Sequence, residues 1–295
     1  MRYHTATTLL LLLVLPAQTV ESALEDQWLR DGLSNEDRNE LVERAKKQTF
    51  EKIAPAVLKL LVEYRPNIMF TALSDTPWNN ERRTAKDRIY LMAGAVWQHH
   101  MTPRNDPSKA KVVLSLLRMA SRPAEKSILI VAIWHRQWCP DAELALLGLC
   151  RANGEPLDIR ALAAAALLDH CDLNTYMPTA IEVILAHENG LPRCKAFNST
   201  TNQGNRLFEL NDKNRLAILA VGFNIIRNLA AEELRYGYFV ARQLGFILKK
   251  RHQFAPSPRA NEYRGKNGLK DEFFIDTVKN AIAWHSDNQS ELESN

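Results

Sequence analysis

From Ser34 onward apolar side chains return every three or four residues, and no run of alternating β-branched residues bounded by turns breaks the pattern. That period matches the helical turn, so the chain is expected to be all-α. Ser34 is placed to cap a helix from Asn35, with Asp37 able to reach back to the free N–H groups. Leu41, Ala45 and Ile53 begin its apolar face, Pro55 interrupts or restarts it, and Leu58, Leu61 and Tyr64 carry it to Arg65-Pro66. Thr76-Pro77, Asp106-Pro107 and Ser121 with Pro123 each read as a cap followed by an early proline, whose missing N–H is one a helix start leaves free anyway. The helices they open are expected to reach His100, Ala120 and Trp138. Another is expected from Pro140 to the Asn153-Gly154 stop, and further ones over 157–170, 178–188, 212–231, 232–252 and 271–284. Short connections between such helices favour antiparallel neighbours.

The stretch 157–168, LDIRALAAAALL, places Ile159-Arg160 before Ala163, Ala164, Ala166 and Leu167. It resembles the second-helix signature of HEAT-type repeats, in which a Val-Arg or Ile-Arg pair precedes alanines that let neighbouring helices approach closely. Lys213-Asn214-Arg215 before Ile218, Leu219 and Val221, and Lys111 before Leu114 and Leu117, echo it without that pair. Their spacing is longer than the repeat of about 40 to 47 residues usual for HEAT proteins. The resemblance spans residues 107–231 and implies a right-handed stack of antiparallel helical hairpins, a short HEAT-like solenoid with a concave face. An orthogonal helical bundle is the alternative.

The chain of 295 residues, 24% of them charged, has an ordinary globular composition. Its start does not: Arg2, a nearly all-leucine run over 9–15, Pro16, and then compact side chains at Val20 and Ser22 form the layout of a secretory signal peptide. The apolar run is too short to cross a bilayer core of about 30 Å, and no later stretch approaches the required length. The expected organisation is a leader over 1–22, an all-α repeat domain over 23–254, and a basic loop with a C-terminal helix over 255–295. A secreted or periplasmic location follows, with no transmembrane segment in the mature chain.

Net charge is +4, but its distribution says more. Lys249, Lys250, Arg251, Arg259, Arg264, Lys266 and Lys270 face one acid, Glu262, a local +6 that leaves −2 for all other residues. Pro256, Pro258, Gly265 and Gly268 make this segment a loop, and its seven cations are candidate contacts for a polyanion, with Phe254 and Tyr263 available for stacking.

Candidate chemistry is sparse. Asp169-His170-Cys171-Asp172 has metal-ligand types, but it falls where a helix should end, and no second ligand pair of C-x-x-C or H-x-x-x-H spacing accompanies it. HEAT-like deoxyhypusine hydroxylases build an iron site from several His-Glu pairs; this sequence has the single pair His187-Glu188, for which a solvated helix terminus is expected. His99-His100 point about 100° apart on a helix and share no ligand by themselves. Trp134 and Trp138, four apart on one expected helix and flanked by His135, form a possible stacking surface, although core burial is the favoured reading, with Trp97 joining them. There is no G-x-S-x-G elbow and no phosphate-binding glycine loop, so no cofactor is implied. Asn198 and Asn288 head glycosylation sequons in segments expected to be exposed.

Export would permit disulfides among Cys139, Cys150, Cys171 and Cys194. Cys139 and Cys150 lie at opposite ends of one expected helix, roughly 16 Å apart and out of bridging range. If successive helices alternate in direction, Cys139 meets Cys171 and Cys150 meets Cys194; buried free thiols are the competing expectation.

The sequence thus points to a noncatalytic interaction scaffold for a protein or polyanionic partner, with an exported glycan hydrolase or lyase in a helical cleft as the alternative. A polyanion role for the basic loop predicts that replacing Lys249, Lys250, Arg251 and Arg264 by Gln leaves folding intact and abolishes retention on a heparin matrix at low salt. Unchanged retention would reject that role.

Overall fold

Capping chemistry sets where the helices begin. The computed structural model describes residues 24, 26–28, 30, 32–64, 84–102, 104–248, 254–256, 263–265 and 268–294. The protein is all-α, built of helices packed against their neighbours, and it divides into two compact units, Met1–Cys139 and Pro140–Asn295.

The first unit holds α1 (Asn35–Lys46), α2 (Phe50–Glu63), α3 (Ala85–His100), α4 (Pro107–Met119) and α5 (Pro123–His135). The Ser34 hydroxyl accepts from the Asp37 N–H at 3.1 Å while the Asp37 carboxylate accepts from the Ser34 N–H at 3.0 Å, a reciprocal capping box. Thr84 and Asp87 repeat it at the start of α3. Thr76-Pro77, the expected start, lies outside the described residues. Pro55 does not divide the first helix; the break falls at residues 47–49, and Pro55 sits early in α2, where it removes one ladder bond. Helix α2 is the hub of this unit, burying Ile53, Ala54, Val57, Leu60 and Leu61 against α3, α4 and α5. Fully buried Gln137 ties the unit's turns together: its Oε1 accepts from the Asp106 N–H at 2.9 Å and its Nε2 donates to the Met101 carbonyl at 3.2 Å.

The second unit comprises α6 (Pro140–Arg151), α7 (Leu157–His170), α8 (Leu173–Ala186), α9 (Leu191–Thr201), a 3-10 segment Gly204–Glu209, α10 (Asp212–Arg227), a second 3-10 segment Ala231–Gly237, α11 (Tyr238–Ile247) and α12 (Asp271–Ser294). Before α12, Arg264–Gly265 and Gly268–Leu269 pair antiparallel as a two-residue ribbon. Helix α12 packs on α10, α11 and the second 3-10 segment.

Helix α7 organises this unit. Ile159, Ala161, Ala163, Ala164, Ala165, Ala166, Leu167 and Leu168 are all buried, so the helix has apolar contacts all round, against α6, α8 and α9. Its last carbonyls have no partner within the helix, and Arg206 supplies one by donating to Leu168 O at 2.5 Å, to Asp169 O and to Cys171 O at 2.8 Å. The neighbouring helices end in the same way. Arg160 donates to Cys150 O at 2.8 Å at the end of α6, and Arg193 donates to Leu185 O and His187 O at the end of α8.

Three expectations are corrected in this unit. Helix α8 begins at Leu173 rather than Pro178, because Asp172 caps it by accepting from the Thr175 N–H at 2.8 Å, and Pro178 rides inside it. A separate helix, α9, follows the Gly190 turn. The expected helix over 232–252 is a 3-10 segment followed by the shorter α11.

Ala165→Leu is expected to cost about 1–3 kcal/mol by overpacking the α7 contacts. Arg206→Gln, which removes the donor from part-buried carbonyls at the end of α7, is expected to cost about 1 kcal/mol. Denaturant unfolding of the full chain measures both, and an unchanged midpoint for Ala165→Leu would contradict the enclosure of α7.

Candidate binding surface

Gly237 decides what the second 3-10 segment presents. A Cβ there would stand 2.7 Å from Leu229 Cδ1 and 3.2 Å from Val278 Cγ2, so the missing side chain lets the segment close onto its neighbours. Helix α11 then buries Val240, Ala241, Gln243, Leu244 and Ile247 and turns Phe239 and Arg242 outward. Tyr236 is 38% exposed and Phe239 53%. Cys194 Sγ donates to the Tyr236 carbonyl at 3.2 Å and fixes the backbone between them.

These side chains hold one another in place. The Arg235 guanidinium lies 4.7 Å from the centre of the Tyr236 ring, donates to its hydroxyl, and pairs with Asp271 at 3.3 Å. Those hydrogen bonds, the Tyr236 one foremost, hold Arg235 protonated even more firmly than usual. Tyr238 meets Phe239 at 5.3 Å and Phe274 at 5.0 Å, both edge to face. Arg242 lies 5.7 Å from the Phe246 ring centre. Beside them lies a shallow cleft with room for about one water molecule, lined by Tyr238, Ala241, Arg242, Gly245, Phe254, Ala255 and Thr277. Asn280 donates to the Phe254 carbonyl at 3.1 Å and anchors that wall.

Of the expected polyanion contacts, Lys249, Lys250, Arg251, Arg259 and Lys266 lie outside the described residues. Arg264 contributes backbone to the ribbon, and Lys270 is exposed, its N–H donating to the Tyr263 carbonyl at 3.0 Å. Trp134 and Trp138 do not share a helical face: α5 ends at His135, so Trp138 falls in the connection, and half-buried Trp134 stacks on His135 at 4.5 Å. Trp97 packs edge to face on Phe50. His100 is buried against the same Phe50, while His99 is exposed. His187 is not solvated but buried, its Nδ1 2.9 Å from Val183 O and its Nε2 3.9 Å from Asp158. The sequon at Asn198 lies within α9, with Thr200 fully buried, and Asn288 lies within α12 and donates to the Trp284 carbonyl.

All four cysteines are free. The pairing of Cys139 with Cys171 and Cys150 with Cys194 is therefore absent. The Cys150 thiol faces Arg160 O at 3.6 Å, while α9, missing from the expected helix order, carries Cys194 to the Tyr236 carbonyl instead. Burial pushes both thiols up to about 12.

The sequence reading missed the surroundings of Cys171. Glu143 on α6 accepts from the Tyr176 hydroxyl on α8, and its carboxylate stands beside the Cys171 thiol. Burial and the Glu143 charge push Cys171 up to about 11, and the Glu143 hydrogen bond pushes Tyr176 up to about 12. Asp172 is occupied as a cap and Asp169 lies 3.9 Å from His170, so the segment closes a helix rather than gathering ligands. Among the described residues no group of three or more His, Cys, Asp or Glu is arranged to hold a metal ion, and no helix is long and apolar enough to cross a membrane.

Comparison with protein-family models, curated proteins and solved structures finds no match.

A thiol held near 11 is almost wholly protonated at pH 9, whereas an ordinary one is substantially ionised. Glu143→Gln removes the carboxylate that disfavours the thiolate, so Cys171 should be alkylated severalfold faster at pH 9, as followed by peptide mass spectrometry. An unchanged rate would overturn the assignment. The stabilisation that Tyr176 draws from Glu143 is full below the ordinary phenol pKa of about 10 and is lost as pH rises through about 12.

Proposed function

We propose that the chain is an exported, noncatalytic interaction scaffold: a HEAT-like stack of helix pairs whose second unit docks a partner on the arginine and aromatic side chains around α11. The single observation that carries this reading is the run of exposed or half-exposed Arg235, Tyr236, Tyr238, Phe239 and Arg242, with Arg235 held against Tyr236, Tyr238 against Phe239 and Arg242 against Phe246. Tyrosine, phenylalanine and arginine are the side chains enriched where proteins bind one another, because each brings large contact area with little rotamer entropy to lose once it is held. Export rests on the leader-like residues 1–22, and the HEAT-like arrangement on the Ile159-Arg160 and alanine pattern that α7 carries.

The alternative, a glycan hydrolase or lyase, calls for two carboxylates converging on the sugar, and the cleft beside α11 is lined by aromatic and small residues with one arginine. The binding reading suits that lining better.

A random-peptide display library panned on the full chain is expected to yield binders that lose about tenfold or more in affinity on Phe239→Ala with Arg242→Gln, a double variant of exposed positions that should melt like the parent. A library that gives no binder, or binders indifferent to the double variant, would reject the surface.

A further inference from the structure

We propose that α6 carries a dimerisation face that takes a second copy of this chain, the two α6 helices lying antiparallel across a two-fold axis. It is a different surface from the one around α11 and serves a different partner. Helix α6 buries Ala142, Leu146 and Cys150 along one stripe, and this fixes what its opposite side presents. At about 100° per residue, Asp141, Leu144, Gly148 and Arg151 fall within roughly 80° of arc, centred on the side facing away from that stripe. All four are exposed, and Leu144, at 75%, is the most open large apolar side chain among the described residues.

Gly148 is the second observation. Where this unit needs glycine for its own packing, a Cβ would collide: it would stand 2.6 Å from Leu244 Cδ2 at Gly222 and 2.7 Å from Leu229 Cδ1 at Gly237. At Gly148 a Cβ would meet nothing within 4 Å, so the fold of one chain gives no reason for the notch, although glycine weakens a helix relative to alanine. A notch one turn from an exposed leucine is filled when a second α6 crosses it in the opposite direction. Leu144 and Gly148 lie symmetrically about position 146, and so do Asp141 and Arg151. A two-fold axis over that position sets Leu144 of each copy on Gly148 of the other, and the same operation sets Asp141 of each beside Arg151 of the other. Two leucines leave water and two opposite-charge pairs form, whereas parallel helices in register would set like charges together at both ends. Neither Asp141 nor Arg151 is held by an ion pair to a described residue. A single helix pair covers less than the roughly 1,200 Å² that stable interfaces bury, so the dimer is reversible, with a Kd on the order of 100 µM.

Sedimentation equilibrium of the full chain from about 10 µM to about 1 mM should show the average mass rising from monomer toward dimer. Gly148→Leu fills the notch without a clash inside the chain and favours the helix, so it should melt no lower than the parent yet weaken association about tenfold or more. Asp141→Arg alone and Arg151→Asp alone should each weaken association severalfold, because each sets like charges together across the axis. An equimolar mixture of those two variants should associate at least as tightly as the parent, since one chain then carries only bases at the two positions and the other only acids. Damaged folding cannot mimic that recovery. A chain that stays monomeric to about 1 mM would overturn the dimer, as would association that Gly148→Leu leaves unchanged or that breaks instead on Phe239→Ala with Arg242→Gln. A mixture no tighter than the separate variants would overturn the antiparallel pairing.

Discussion

Helix α7 is in contact with protein on every side, and the second unit is built outward from that constraint. A helix so enclosed cannot carry large side chains on all faces without holding its neighbours away, and its last carbonyls still need donors. Alanines at 161 and 163–166 meet the first demand, and the Arg206 guanidinium meets the second by spanning three carbonyls. Once α6, α8 and α9 are drawn in this closely, their own ends fall under the same requirement. Arg160 and Arg193 supply it at α6 and α8, so arginines do inside this unit what water and glycine caps do in looser helical proteins.

The parts of this arrangement that could be read beforehand are those whose cause is local. Both ends of α7 are legible, because Gly154 and Pro156 precede it and the alanine block admits no other structure. The capping box at Ser34 and the Asp106 cap are legible for the same reason, since a side chain two or three residues away does the work. Helix α9 is not: its sequence LPRCKAFNSTT is poor in strong helix formers and has little apolar period, and it is held by burial of Cys194, Phe197 and Thr200 against other elements. Missing that helix misdirected everything that depended on helix order, the cysteine pairing above all.

The exposed arginine and aromatic surface was hidden for a different reason. Aromatic residues two helical turns apart, as at Phe239 and Phe246, look in a sequence like one more buried stripe. Which of them faces outward depends on the rotation of α11, and that rotation is inherited from the close approach at Gly237, a contact with residues far away in the chain. Glu143 on α6, Cys171 just past the end of α7 and Tyr176 on α8 gather in space, and nothing in the spacing of residues announces it.

The enclosure of α7 also bears on how such a chain can change over generations. An exposed helix drifts freely because each substitution answers only to solvent. A methylene added at Ala164 or Ala165 must be matched at once by volume lost on a facing helix, and the two changes seldom arrive together. The middle of α7 should therefore stay almost frozen in related chains while the outward face of α11 diverges more freely. In any such lineage, the unbroken alanine block would be the mark of common descent.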